Sequence, residues 1–328
     1  MRVIITWIAM GVLLVAASGS AGAIILRDLY GPTHLPALYL SLLDRGDAAG
    51  ALALPGVDVP GSPGSADGLL RGSTLSSVTA VRHVATRDLG DGVMLVRMAA
   101  TVDGERVEPE YRVTQTDDGW RFTVSPLAEL EIRSVGIAQL RINGFGVEKS
   151  RLNADGAAFQ STQRALVFTP ARYRIEADDP FATASATVAP AWQPGAIVRV
   201  RLEGVPTPEF RERIEEAVHD KLTLCAASTA LFPADCPFGY AVVDRIAGDP
   251  SWSLPALPHI RVEAGPDAWR IAPVSSLAII DVPIRSLYDG IVRDRAFEVP
   301  FLLSGEVAAG GAGVAITLRG EPLESEHP

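Results

Sequence analysis

The stretch Arg106–Val124, RVEPEYRVTQTDDGWRFTV, decides how the chain folds. Val107, Pro109, Tyr111 and Val113 fall on one side of an extended strand, and Arg106, Glu108, Glu110 and Arg112 on the other. After Asp118-Gly119 the alternation returns, with Trp120, Phe122 and Val124 against Arg121 and Thr123. Successive strand side chains point to opposite faces, so a period of two means one face on a core and one in water. Asp-Gly supplies the left-handed backbone of a tight turn, and the stretch reads as a β-hairpin. Asp91-Gly92 and Asp103-Gly104 repeat the signal upstream, which makes a meander.

Further upstream the period changes. Leu35, Leu38, Leu40, Leu42 and Leu43 give a helical apolar face, Gly46 interrupts it, and a short second helix is expected at Asp47–Leu54. Pro55–Asp67 is rich in Pro, Gly and Ser and reads as a connection. Helices followed by an antiparallel meander make an α+β unit over 32–130. The helical segment Tyr39–Leu54, YLSLLDRGDAAGALAL, followed by a meander closing on DGWRF, resembles an NTF2-like domain. Such domains recur outside the membrane in anchored bacterial envelope proteins, including the N-terminal extension of some penicillin-binding proteins and teicoplanin-resistance-associated membrane proteins. The resemblance implies the same kind of setting here. It places no catalytic residue on this chain.

Downstream, residues 131–204 lose helical periodicity and break into short β-rich runs at Val135–Ile142, Ala165–Glu176, Ala182–Val188 and Ile197–Leu202. They read as a β-sandwich-like module. Residues 205–321 open on a strong helix signal. Thr207 is a fitting N-cap, Pro208 fits the first helical position, and Phe210, Ile214, Val218 and Leu222 recur every four residues. Strand runs follow at Ile260–Glu263, Trp269–Ala272, Leu277–Ile284, Phe297–Leu303 and Val314–Leu318, with Gly305–Gly313 read as a loop. Helix plus antiparallel meander repeats the logic of 32–130, so a second cystatin- or NTF2-like unit is expected, followed by a frayed tail at 322–328. The expected fold class is therefore α+β and β, behind an N-terminal transmembrane helix.

That helix is the charge-free run Val3–Leu26, between Arg2 and Arg27, in the segment 1–27. It would reach ~36 Å as a helix, enough to cross a ~30 Å hydrocarbon core. A cleaved signal peptide is the alternative, with Ala21-Gly22-Ala23 as the cut site and secretion as the outcome. The uncleaved anchor is favoured because the apolar run resumes at Ile24–Leu26. Arg2 ahead of the span sets the C-terminal domains outside the cell membrane. Both readings export the rest of the chain. In that compartment the only two cysteines, Cys225 and Cys236, read as a disulfide, whose closed loop removes ~3 kcal/mol of unfolded-chain freedom.

The net charge of −10 offers no basic face for nucleic acid, and anionic wall polymers or lipid headgroups would be repelled rather than gathered. None of the strong catalytic or nucleotide motifs is present, and no cofactor or metal is implied. Gly310–Gly313 lacks the context of a dinucleotide loop, and Asn153–Gly156 resembles a calcium loop without its later ligands. His83, in the expected strand Val78–Arg87, could meet Tyr111 or an acidic side chain in the first unit and serve as a general base. The plainer reading is a surface histidine and a core tyrosine. Trp192, Trp252 and Trp269 read as sheet packing, with stacking on wall sugars as the alternative. The expectation is a non-enzymatic, single-pass membrane-anchored protein of the bacterial cell envelope, binding a partner protein, a wall component or a small ligand. The alternatives are a sensor arm with a small apolar ligand, and an NTF2-like isomerase or hydrolase within 32–130.

Overall fold

Leu35, Tyr39, Leu42 and Leu43 return every three or four residues, and helix α1 (His34–Asp44) buries them as one stripe. Gly46 ends it at φ +72°, its N–H bonded to Leu43 O at 3.0 Å. Asp47 then caps the short helix α2 (Ala48–Leu52), its carboxylate accepting from Gly50 N at 2.8 Å. The computed structural model describes residues 31–59, 69–148, 159–242, 245–310 and 313–322. The expected membrane segment Val3–Leu26 lies outside these. Among the described residues no helix is long and apolar enough to cross a membrane.

Five strands follow: β1 (Val78–Asp88), β2 (Val93–Val102), β3 (Glu105–Val107), β4 (Glu110–Thr116) and β5 (Gly119–Phe122). They form an antiparallel sheet in the order β1-β2-β4-β5, with β3 on β2. The Asp91-Gly92 and Asp103-Gly104 turns both carry two consecutive positive φ angles, as tight hairpins require. The alternation read from the sequence is realised in β4, where Tyr111 and Val113 are buried and Arg112 is exposed. Tyr39 and Leu43 of α1 pack there with Val96, Met98, Tyr111, Val113 and Phe122 in one hydrophobic cluster.

The middle of the chain forms two facing sets of strands. Strands β6 (Leu127–Val135), β7 (Gln139–Ile142), β8 (Phe145–Glu148), β9 (Gln160–Phe168) and β10 (Ala171–Ala177) come first. The short β11 (Ala182–Thr183), β12 (Thr187–Ala191), β13 (Ile197–Glu203) and β14 (Val205–Pro206) complete them. One sheet runs β13-β6-β9, with β6 and β13 parallel; the other runs β12-β10-β7-β8, and β11 pairs with β14. Leu130 and Ile132 of β6, Val167 of β9, Leu140 of β7 and Tyr173 of β10 meet in a second hydrophobic cluster. The division expected at 130/131 falls within the span of β6, whose Leu127 belongs to the first cluster and whose Ala128 belongs to the second.

Helix α3 (Pro208–Ala226) is capped as its sequence predicts: Thr207 Oγ1 accepts from Phe210 N at 3.2 Å. Its stripe of Phe210, Ile214, Val218, Leu222 and Cys225 joins that same second cluster. The disulfide expected between Cys225 and Cys236 is present, with its Cα atoms 5.8 Å apart. Then come β15 (Arg245–Ile246), β16 (Ser251–Ser253), β17 (Val262–Ala264), β18 (Trp269–Arg285), β19 (Val292–Gly310) and β20 (Gly313–Pro322). These pair antiparallel in the order β15-β18-β19-β20, with β16 and β17 also on β18.

Two expectations are corrected here. Trp269–Ala272 and Leu277–Ile284 are one strand interrupted by a bulge between Ile271 and Val274, where Pro273 lacks the N–H a ladder needs. Gly305–Gly313 is mostly ladder rather than loop, from Gly305 opposite Leu318 to Gly310 opposite Gly313. At Gly305 a Cβ would come within 2.7 Å of Thr317 O, so the small residue read as a loop signal permits close strand pairing. The described chain is mostly strand with few helices, of the α+β and β classes.

Candidate functional site

The β18–β19 hairpin has apolar residues at both ends, and their fates differ. At its root, Trp269 stacks edge-on against Phe159 and Phe210, with ring centroids at 5.4 and 5.9 Å. Its indole lies over Gly136, where an added Cβ would come within 2.9 Å of Cζ2. From there β18 runs 17 residues, ~55 Å at ~3.4 Å per residue. The ladder closes at Arg285 opposite Val292.

Beyond that pair the loop Ser286–Ile291 presents its side chains to solvent. Tyr288 is 100% exposed and Leu287 73%, and Ile291, Val292 and the adjacent Ile246 are exposed as well. Internal bonds hold the loop in shape. Ser286 N donates to Ile291 O at 3.1 Å and Gly290 N to Ser286 O at 3.0 Å. Ser286 Oγ accepts from Tyr288 N and Asp289 N, and Asp289 Oδ1 accepts from Ile291 N at 3.0 Å. Arg293 grips the same carboxylate, Nη2 to Oδ2 at 2.7 Å. Hydrogen bonds from Arg293 and from the Ile291 N–H hold the Asp289 carboxyl well below the usual carboxylate range. An apolar tip is thus displayed by a loop whose polar groups are already satisfied.

Arginines stand immediately behind it. Arg245 of β15 lies directly opposite Arg285 of β18, and Arg295 follows on β19. All three are exposed, and among the described residues none of them makes an ion pair. Like charges directly opposite in a sheet repel at a Cβ separation of about 5 Å.

The sequence candidates sit elsewhere and apart. His83 is exposed on β1, its Nε2 2.8 Å from Thr86 Oγ1. Tyr111 is fully buried, with its ring 6.0 Å from Tyr39 and 5.9 Å from Phe122. Its hydroxyl has no hydrogen-bond partner among the described residues, and burial pushes its pKa well up. Tyr39 fares better, donating to Pro126 O at 2.8 Å. The structure does not bring His83 and Tyr111 together. Trp252 and Trp269 are buried and Trp192 is partly buried against the first cluster.

Among the described residues no group of three or more His, Cys, Asp or Glu is placed to hold a metal ion. The clefts are open and modest. One of about 450 Å³ lies beside the disulfide between Phe232, Pro233, Pro237 and Pro300. Another of about 400 Å³ lies between Arg87, Glu110, Arg112 and Gln193. The sequence reading missed the tip, although Asp289-Gly290 carries the same turn signal as the three turns it used.

No family model matches the chain, and no curated protein matches its sequence. Among solved structures, an Ntf2-like protein involved in plasmid conjugation aligns over 89% of this chain and 96% of its own, at 10% identity and a TM-score of 0.17. So low a score carries no argument, and the fold rests on the strand order described above.

Proposed function

We propose that this chain is a non-enzymatic binding protein of the bacterial cell envelope, anchored by the single span Val3–Leu26 with its domains outside the cell membrane. The observation that carries the reading is the hairpin tip, where an internally hydrogen-bonded loop holds Leu287 and Tyr288 away from the core. Burying apolar surface is the main favourable term in folding, and here it is forgone on a loop that is held by its own hydrogen bonds. Residues so displayed are suited to contact. Tyrosine in particular offers a large amphipathic surface at low entropic cost. The disulfide supports an oxidising compartment. The separation of exposed His83 from buried Tyr111 supports binding over catalysis in 32–130. We assign that unit to the NTF2-like class on the packing of α1 and α2 against β1-β2-β4-β5.

The test is a photo-reactive residue in place of Tyr288 in intact cells, with Asp117 in the exposed β4–β5 turn as the control position. The expected result is an adduct, to protein or lipid, specific to position 288. Equal, background-level adducts at both positions would overturn the reading.

A further inference from the structure

Resting on that binding role, we infer that the β18–β19 tip docks on an anionic phospholipid surface, with Leu287, Tyr288 and Ile291 entering the interface and Arg245 and Arg285 taking headgroup phosphates. Two independent features of the tip converge on this occupant. The first is the apolar tip itself, exposed aromatic and aliphatic side chains on an internally bonded loop. Tyrosine is enriched where one end of a side chain is apolar and the other wet, as at the level of lipid headgroups. The second is the arginine pair one residue behind it. Arg245 and Arg285 are held opposite one another without an anionic partner among the described residues. An anion between them would relieve the repulsion, and a guanidinium pair matches the oxygens of a phosphodiester.

Local charge decides the matter against the net charge. The chain as a whole carries −10, but fields are screened beyond ~8–10 Å at ordinary ionic strength. At the tip a headgroup meets Arg245 and Arg285, with Asp294 on the same face and Arg295 on the other, so that the face carries one net positive charge where the chain as a whole is negative. The only carboxylate in the tip loop belongs to Asp289, which Arg293 already neutralises. A protein partner could take Tyr288 in a pocket and the arginine pair on its own carboxylates; it is the outcome the test must separate.

The full chain is reconstituted in nanodiscs of phosphatidylcholine alone or of phosphatidylcholine with phosphatidylglycerol. Tyr288→Cys carries an environment-sensitive fluorophore, because both native cysteines are tied in the disulfide. Spin-labelled lipid quenches the probe in the phosphatidylglycerol discs and spares it in phosphatidylcholine. Asp117→Cys carrying the same probe stays unquenched in both. Arg285→Gln lowers the quenched fraction about fivefold at limiting phosphatidylglycerol. A probe that stays solvent-like in both discs overturns the inference, as does a response to inorganic phosphate in phosphatidylcholine discs equal to that with phosphatidylglycerol. If the discs fail and the adduct at position 288 in cells is a protein, docking on lipid falls and the binding role stands. If position 288 gives no specific adduct, both fall.

Discussion

The root and the tip of the β18–β19 hairpin are equally apolar and oppositely placed. Trp269 at the root closes on Gly136, Phe159 and Phe210, and its burial ties the turn after β6 to α3. Leu287 and Tyr288 at the tip touch water on a loop held by its own hydrogen bonds. Hydrophobic residues at one end explain why the hairpin stands. At the other they contribute nothing to that.

Stability measurements can break this contrast. Trp269→Ala should lose ~3–5 kcal/mol in denaturant unfolding, the usual loss for a large buried aromatic. Leu287→Ser should change it by less than ~0.5 kcal/mol, as exposed positions do. A tip substitution as costly as the root one would mean that the tip is part of the core in solution.

A smaller effect separates packing from chemistry in the first unit. The Tyr111 hydroxyl is buried without a partner among the described residues, and such a group costs ~1–3 kcal/mol. Tyr111→Phe should therefore raise the unfolding free energy, by about 1 kcal/mol. A loss on this substitution would reveal a hydrogen bond that the hydroxyl makes in solution.

The smallest effect concerns the tip loop itself. Arg293 and the Ile291 N–H depress the Asp289 carboxyl below its unfolded value. The support Asp289 gives the loop is thus complete above about pH 3.9 and is lost as pH falls through the lower folded value. An NMR titration of Asp289 should show a midpoint below the ordinary range that moves up in Arg293→Gln. Amide exchange at Ile291 should quicken over the same acid window.

Much of this was legible in the sequence and some was hidden for identifiable reasons. The strand pair in Arg106–Val124 could be read because one face is buried and the other wet, which imprints a period of two. The helix at Pro208–Ala226 could be read because its cap and its four-residue stripe agree. The tip could not, because hydropathy assigns Leu287, Tyr288, Ile291 and Val292 to a core and says nothing of whether one exists at that place. Trp269 on Gly136 was hidden too, since local periodicity carries no record of which distant residue a side chain meets. Arg245 and Arg285 became a pair only through strand register.

One feature of the middle sheets bears on how such a molecule comes into being. β6 has β9 on one flank and β13 on the other, with Glu129 opposite Ile197 and Val135 opposite Glu203. A ribosome delivers β6 and β9 early and β13 late, so the central strand waits with one side open while the intervening chain is made. Parallel pairing across so long a separation is intrinsically slow. The sheet cannot be finished before residues 197–203 emerge, and until then β6 is a half-built edge that must be kept from joining the wrong neighbour.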